Sequence, residues 1–294
     1  MTRRDLVRGI EGFAVGTGLL GGWSGASRAS RPATGEPGAT GGITGGAPLP
    51  SGEVAVTAQP FGAVGDGAHD DTAALRAALA TGAPVVLLPP GTYLVSEAIT
   101  IPTGTVVRGA GRQATVIRAR VGGKWAAPRP STWVYVLGAV NADDVTVTDL
   151  TVDVSGETAS GIAVLGGDRP TITGCGVRNV RVHSGCHFFG AQSSGVRPVV
   201  GGVMAGNVVE GCVYNLVLDG QNEDCRLIGN LSLSPGVTHI SMDGGQGGTG
   251  NHGIVVQGNV CQGQQGTSNG VVCFQTHGAA FGTSHENPQM QHRA

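Results

Sequence analysis

The chain has 294 residues, of which 53 are glycine and only 13% are charged, and its formal net charge is −2. This composition argues against a helical protein, which would be rich in Leu, Glu and Lys, and the lack of a basic stripe argues against nucleic acid as a partner. Frequent Gly and Asn beside Val and Thr instead predict one all-β domain of many short strands and turns.

The first 29 residues resemble an export signal. Arg3 and Arg4 precede a weakly apolar, glycine-rich stretch, and small residues follow around 27–29, which is the pattern of a twin-arginine signal. The apolar stretch is short and is interrupted by Gly and Glu11, so we expect no stable membrane span. We predict a signal peptide over 1–29 and export of the rest, with a plain tail as the alternative.

The next segments differ in composition. Residues 30–53 are mostly Gly, Pro, Thr and Ser, which cannot bury apolar surface, so we predict a flexible linker. The folded domain is predicted over 54–285. The tail 286–294 contains no evident cap, so we expect either a truncated chain or oligomerisation through an open C-terminal end.

The segment FGAVGDGAHDDTAALRAAL (61–79) combines a turn with the start of a helix. Apolar residues from Ala74 to Leu79 recur at helical spacing. Asp70 or Asp71 lies where an N-cap residue accepts backbone hydrogen bonds and suits the helix dipole. The acidic residues here therefore have a structural explanation, and the search for function moves further along the chain.

The second half of the chain repeats one plan of three short strands, a Gly-Asn or Gly-Cys turn and a glycine-bearing loop. The repeats are 170–190, 204–220, 227–244 and 256–275. Short strands at such a period predict a solenoid in which each coil adds one strand to each parallel sheet. Asn207, Asn230 and Asn259 share one repeat position, so their amides should stack from rung to rung.

The segment 61–79, followed by VVLLPPGTYLVSEAITIPTGTVVRGAGRQATVIRA (85–119), resembles the opening of the pectate-lyase-like proteins. That superfamily includes rhamnogalacturonases, polygalacturonases and phage tailspikes. The resemblance implies a single-stranded right-handed parallel β-helix with an N-terminal capping α-helix, acting on pectin or another uronate-containing polysaccharide. The polygalacturonase motifs are absent in their required order, so that mechanism does not carry over residue by residue.

Two aspartates are the candidate catalytic residues. LVLDG (216–220) and ISMDG (240–244) align, which places Asp219 and Asp243 at the same strand end. Alternation along a strand sends both acids outward. Two neighbouring carboxylates can serve as general acid and base, as glycoside hydrolysis requires. The alternative is that Asp-Gly simply ends each strand in a turn.

Three histidines are candidate substrate-binding residues in a groove beside these acids. His187 is predicted to point outward in register with Val217 and Ser241, and His239 to point outward on the next coil. His277 is expected on the same face, two residues after Gln275; Gln275 or, with a slip of one residue, Phe274 is predicted to occupy the aspartate position.

The loop 122–133 offers further candidates for substrate binding. It contains the only lysine, Lys124, together with Trp125 and Arg129, and aromatic rings beside basic groups suit acidic sugars. This loop supports a polysaccharide lyase as the alternative, because a lyase needs a base and a cation to neutralise a uronate carboxylate. The tryptophans equally suit packing against the solenoid.

A calcium site is a weaker hypothesis. Glu223 and Asp224 follow Asp219 closely and would give an oxygen-rich ligand set, but the spacing matches no EF-hand loop. Hydrolysis needs no cofactor, whereas the lyase alternative would use Ca²⁺. The six cysteines contain no CxxC pair, so we expect disulfides or buried thiols rather than zinc. A non-catalytic glycan-binding or surface structural β-helix remains the third class.

Overall fold

The computed structural model describes residues 52–127, 133–191, 195–244, 250–263 and, for the backbone alone, 274–277. The predicted signal peptide, most of the predicted linker and the predicted tail lie outside these residues.

The described strands, numbered β1 to β26 in chain order, form three long parallel sheets and one short one. The first sheet contains β1 (Glu53–Ala55), β3 (Val85–Leu88), β6 (Val106–Gly109), β9 (Thr146–Thr148), β13 (Thr171–Thr173), β17 (Val203–Ala205), β21 (Arg226–Ile228) and β24 (Val255–Gln257). The second contains β2 (Asp66–Asp70), β4 (Gly91–Val95), β7 (Thr115–Ala119), β10 (Thr151–Asp153), β14 (Gly176–Arg178), β18 (Val208–Glu210), β22 (Leu231–Leu233) and β25 (Val260–Gln262).

The third sheet contains β5 (Ile99–Thr100), β8 (Tyr135–Val140), β11 (Ser160–Leu165), β15 (Ser184–Gly190), β19 (Tyr214–Gly220), β23 (Thr238–Asp243) and β26 (Phe274–His277). The short sheet contains β12 (Gly167–Asp168), β16 (Val199–Val200) and β20 (Asn222–Glu223). Successive coils add one strand to each long sheet, which confirms the predicted parallel β-helix.

The helix α1 (Thr72–Leu79) buries Leu75, Ala78 and Leu79 in the main hydrophobic core. Its role as the cap of the N-terminal end stays a prediction. The acids before it bind backbone amides. Asp70 Oδ1 accepts a hydrogen bond from the Thr72 amide at 3.0 Å, whereas Asp71 holds the preceding loop through the amides of Val64 and Gly65. The acidic stretch thus has structural partners.

The predicted asparagine ladder is confirmed at the turn between the first and second sheets. Asn207 Oδ1 accepts a hydrogen bond from the Cys175 amide at 2.9 Å, Asn230 Oδ1 accepts one from the Asn207 amide at 3.0 Å, and Asn259 Oδ1 accepts one from the Asn230 amide at 2.9 Å. Each of these side-chain oxygens satisfies a backbone amide of the preceding coil. The ladder therefore fixes the register of neighbouring coils.

The cysteines that the structure describes are free thiols. They are Cys175, Cys186, Cys212, Cys225 and Cys261, of which all but Cys261 are buried. Burial raises the pKa of Cys175 to about 12, because the apolar interior disfavours the thiolate. Cys273 lies outside the described residues. The sequence left open either disulfides or buried thiols. Four of these five cysteines are buried thiols, and Cys261 is a partly exposed one.

Candidate functional site

One line of residues crosses the third sheet in register, and its side chains point outward from Val140 to Asp243; we call it the outer column. Its members pair in register from coil to coil: Val140, Leu165, Phe189, Asp219, Asp243 and His277. The first three are apolar and the next two are acidic, so the chemistry of the column changes between β15 and β19. The predicted alignment of the two aspartates on neighbouring strands is therefore present.

Asp219 is held by a buried histidine. Its Oδ2 lies 2.9 Å from His187 Nε2, and the side chains are 16% and 0% exposed respectively. The His187 ring stands edge-on to Trp133 and Phe189, with centroids 5.2 and 5.8 Å away. Asp243, one coil further on, is partly exposed. The arrangement fixes the orientation of one carboxylate and leaves it partly accessible.

The expectation that His187 lines an open groove is wrong. Its predicted register with Val217 and Ser241 is confirmed, but the side chain has no exposed surface. Trp133 and Phe189 cover this part of the sheet, and the histidine contacts Asp219 instead of solvent. Its position suits a residue that orients the acid.

The expectation for His239 is also wrong, because its side chain points inward. It is fully buried, and its Nδ1 lies 2.8 Å from Ser232 Oγ, which also accepts a hydrogen bond from Asn215. The equivalent residue two coils earlier is Gly185, where a Cβ would lie 2.3 Å from Val209 Cγ1. The first residues of these strands therefore bend into the core, and alternation begins only after them.

The register at the last described strand differs from the expected one. Gln275 pairs with Ser241, and His277 pairs with Asp243. His277, rather than Gln275, thus follows the two aspartates in the outer column. Its side chain lies outside the described residues.

The loop residues do not join the aspartates. Lys124 is exposed, and Trp125 packs against the core while its Nε1 donates to the Arg120 carbonyl oxygen at 3.3 Å. The loop leads into β8, which β11 and β15 separate from β19, a distance of about 14 Å at one strand spacing per coil. Arg129 lies outside the described residues.

The proposed calcium ligands do not form a metal site with Asp219. Glu223 Oε1 accepts a hydrogen bond from Gln221 Nε2 at 2.6 Å, and Asp224 takes a left-handed turn conformation at φ 52°. Within the described ranges, no group of three or more His, Cys, Asp or Glu residues is arranged to hold a metal ion. Glu223 and Asp224 are therefore placed by local contacts and turn geometry, without a third such ligand among the described residues.

Sequence reasoning missed two asparagines behind the acids. Asn222 Nδ2 donates to the Asp219 carbonyl oxygen at 2.9 Å and to Asn251 Oδ1 at 2.7 Å. Asn251 Nδ2 in turn donates to the Asp243 carbonyl oxygen at 3.3 Å. Both follow the aligned Asp-Gly pairs but at unequal spacing, so alignment of the sequence repeats does not bring them together.

This fold and its outward acids define a parallel β-helix protein of the pectate-lyase-like class. The family described as rhamnogalacturonase A/epimerase, pectate lyase-like, matches residues 55–291, and the chain belongs to that family. The resemblance at the opening of the folded domain is thereby confirmed. Among the described residues, no helix is long and apolar enough to cross a membrane.

Similar proteins match short parts of the chain. The pre-neck appendage protein of Bacillus phage phi29 is 43% identical over 63 residues, which is 21% of this chain and 7% of that protein. The mannuronan C5-epimerase AlgE3 of Azotobacter vinelandii is 46% identical over 69 residues, 20% of this chain and 4% of that protein. These matches span less than a tenth of either relative.

Solved structures with a similar fold cover more of the chain. The A-module of the mannuronan C-5 epimerase AlgE6 of Azotobacter vinelandii aligns with a TM-score of 0.49 and 21% identity, over 69% of this chain and 62% of that one. The ORF18 protein of Geobacillus virus E2 aligns with a TM-score of 0.45 and 17% identity, over 71% and 48%.

Proposed function

We propose that this protein hydrolyses a polysaccharide bound along the third sheet, with Asp219 and Asp243 as the reacting carboxylates. The observation that carries the proposal is their pairing in register at the same outward position of β19 and β23. Neighbouring strands lie about 4.8 Å apart, so two outward carboxyl groups on them are roughly 5 Å apart. That spacing is typical of retaining glycosidases, whose carboxyl groups lie about 5–5.5 Å apart.

The roles of the two acids follow from how each is held. A nucleophile needs a fixed direction of attack, and the contact with His187 at 2.9 Å supports that role for Asp219. Asp219 attacks the anomeric carbon while Asp243 gives its proton to the leaving glycosidic oxygen. Asp243 then takes a proton from the water that displaces the sugar from Asp219. The anomeric configuration of the product is retained.

The substrate class is proposed from family membership. The family description includes rhamnogalacturonase A, which supports a pectin-like or other uronate-containing polysaccharide as the substrate and as the partner. The arginine pair and small residues before position 30 support export outside the cytoplasm. Loss of export on Arg3→Lys and Arg4→Lys substitution would support the twin-arginine route, and unchanged export would refute it.

A polysaccharide lyase is the second candidate function. It is supported by the register of His277 beside Asp243, because a histidine next to a carboxylate suits removal of a proton next to a uronate carboxyl group. Against it, Lys124 lies on a loop that is three coils away from β19. The Ca²⁺ that a lyase would use has no fitting ligand group among the described residues.

The products distinguish these functions. The purified protein is incubated with a panel of pectic and other uronate-containing glycans, and reducing ends, ultraviolet absorbance of unsaturated uronates and the anomer first formed are measured, the last by proton NMR. New reducing ends with a retained anomer support the hydrolase. Unsaturated products would establish the lyase. Binding without any turnover would overturn both in favour of a non-catalytic glycan-binding module.

A further inference from the structure

Two side-chain amides lie directly behind the strand ends that carry the proposed catalytic acids. Asn222 is fully buried and donates both of its amide hydrogens, to the Asp219 carbonyl oxygen at 2.9 Å and to Asn251 Oδ1 at 2.7 Å. Asn251 donates to the carbonyl oxygens of Leu218 and Asp243, each at 3.3 Å. This amide pair therefore bonds the main chain of both acids and of both strands.

The longer asparagine ladder shows what a purely structural amide does in this fold. Asn259 Nδ2 donates to the Leu227 carbonyl oxygen at 2.8 Å, and its Oδ1 accepts from Asn230 Nδ2 at 2.8 Å. These bonds lie at the turn between the first and second sheets and include no residue of the outer column. The Asn222–Asn251 pair makes the same kind of bonds, but its acceptors include the proposed catalytic residues.

We propose that Asn222 and Asn251 are positioning residues that hold the strand ends of Asp219 and Asp243 in place, in addition to the direct pairing of β19 with β23. Asn251 is the central member, since one side chain bonds the β19 strand at Leu218, the β23 strand at Asp243 and the amide of Asn222. Without Asn251, the amide pair makes no hydrogen bond to β23. The assignment of the acids as reacting groups rests on the proposed function, whereas the effect on their separation does not.

Geometry of this kind has a large effect on rate. A misplacement of about 1 Å can cost roughly 100-fold in catalysis, and we expect loss of these amide bonds to loosen the strand ends that carry the acids. Because these bonds are made to main-chain carbonyl oxygens, substrate binding should change much less than turnover. The expected signature is a lower kcat with a nearly unchanged KM.

The test compares Asn251→Ala with the matched control Asn259→Ala. Both asparagines are partly exposed and lie on the same coil, and the Oδ1 of each accepts a hydrogen bond from the asparagine before it in its ladder. We expect Asn251→Ala to lower kcat by about 10- to 100-fold with KM within about threefold of wild type. Asn259→Ala should lower the melting temperature by a similar amount but leave kcat within about twofold.

Two further measurements keep the proposal falsifiable. Asn251→Asp retains the acceptor for Asn222 but loses both donated bonds, so it should lower kcat as Asn251→Ala does. Crystal structures of the two alanine variants should show a changed separation of the Asp219 and Asp243 carboxyl groups in Asn251→Ala alone. Equal losses of kcat in both alanine variants, or an unchanged separation, would overturn the proposal. If the wild-type protein turns over no glycan, the proposed function fails, and the crystal structures alone decide the positioning role.

Discussion

The two halves of the outer column share one backbone arrangement and differ in chemistry. In the first half, Leu165 and Phe189 belong to a small apolar cluster that also includes Val196, and Trp133 packs against it. In the second half, the same position holds acids. Packing in the core constrains the inward residues of each coil, whereas the outward column is free to change. The acidic positions begin at the coil that follows the apolar cluster.

The two halves are joined by a side-chain contact. His187 lies among the aromatic rings of the first half, and its Nε2 reaches the first acid of the second half at 2.9 Å. A buried ring held on several sides has few orientations available. The apolar half thus supports the orientation of Asp219.

Truncating Phe189 in the apolar cluster should have the largest effect, which is on the free energy of unfolding. Phe189 is 2% exposed, so Phe189→Ala should destabilise the protein by about 3–5 kcal/mol through lost burial and a residual cavity. Denaturant unfolding followed by circular dichroism measures this change. Val182→Ala, at a position 47% exposed, is the control and should change stability by less than about 0.5 kcal/mol. A loss below about 1 kcal/mol for Phe189→Ala would mean that the first half is not a packed cover.

Cutting the contact between the halves should have the next largest effect. His187→Phe keeps an aromatic ring but removes the hydrogen bond to Asp219, so kcat should fall by about 10- to 100-fold as the acid loses its fixed orientation. His187→Gln can still donate from its amide and should restore part of the rate. The account fails if His187→Phe keeps full kcat while its structure remains intact.

The smallest expected effect is a pH dependence of stability in the second half. Burial lowers the pKa of His239 below its usual value of 6.5, so near pH 6 the unfolded chain binds a proton more readily than the folded one. Stability should therefore be complete above about pH 6.5 and decline as the pH falls below it. His239→Gln should flatten this decline in urea titrations between pH 7 and 5. If the loss of stability at low pH is the same in the variant, a titrating group other than His239 causes it.

The sequence predicted the repeating parts of this molecule well. Three features follow from assigning equivalent positions in each repeat. They are the parallel coils, the Asn207–Asn230–Asn259 ladder and the alignment of the two aspartates. Stacking at a fixed strand spacing makes such positions equivalent in space. These features depend on local pattern and coil period alone.

The histidines show why the rest was not predictable. His187 is outward as expected, but its burial depends on Trp133, which lies on a different coil. His239 points inward because the first residues of its strand bend toward the core, which an alternation rule does not describe. His277, rather than Gln275, pairs with Asp243. The His187 error thus concerns a contact between coils, and the His239 error concerns a bend that the alternation rule omits.

The most direct test of the central claim is the turnover of Asp219→Asn and Asp243→Asn on the glycan that the wild-type protein degrades. Each variant is compared with Glu210→Gln, an exposed acid in the second sheet. We predict that both aspartate variants lose at least about 100-fold in kcat with unchanged melting temperature, while Glu210→Gln keeps wild-type turnover. Retention of kcat within about twofold by either aspartate variant would contradict the account.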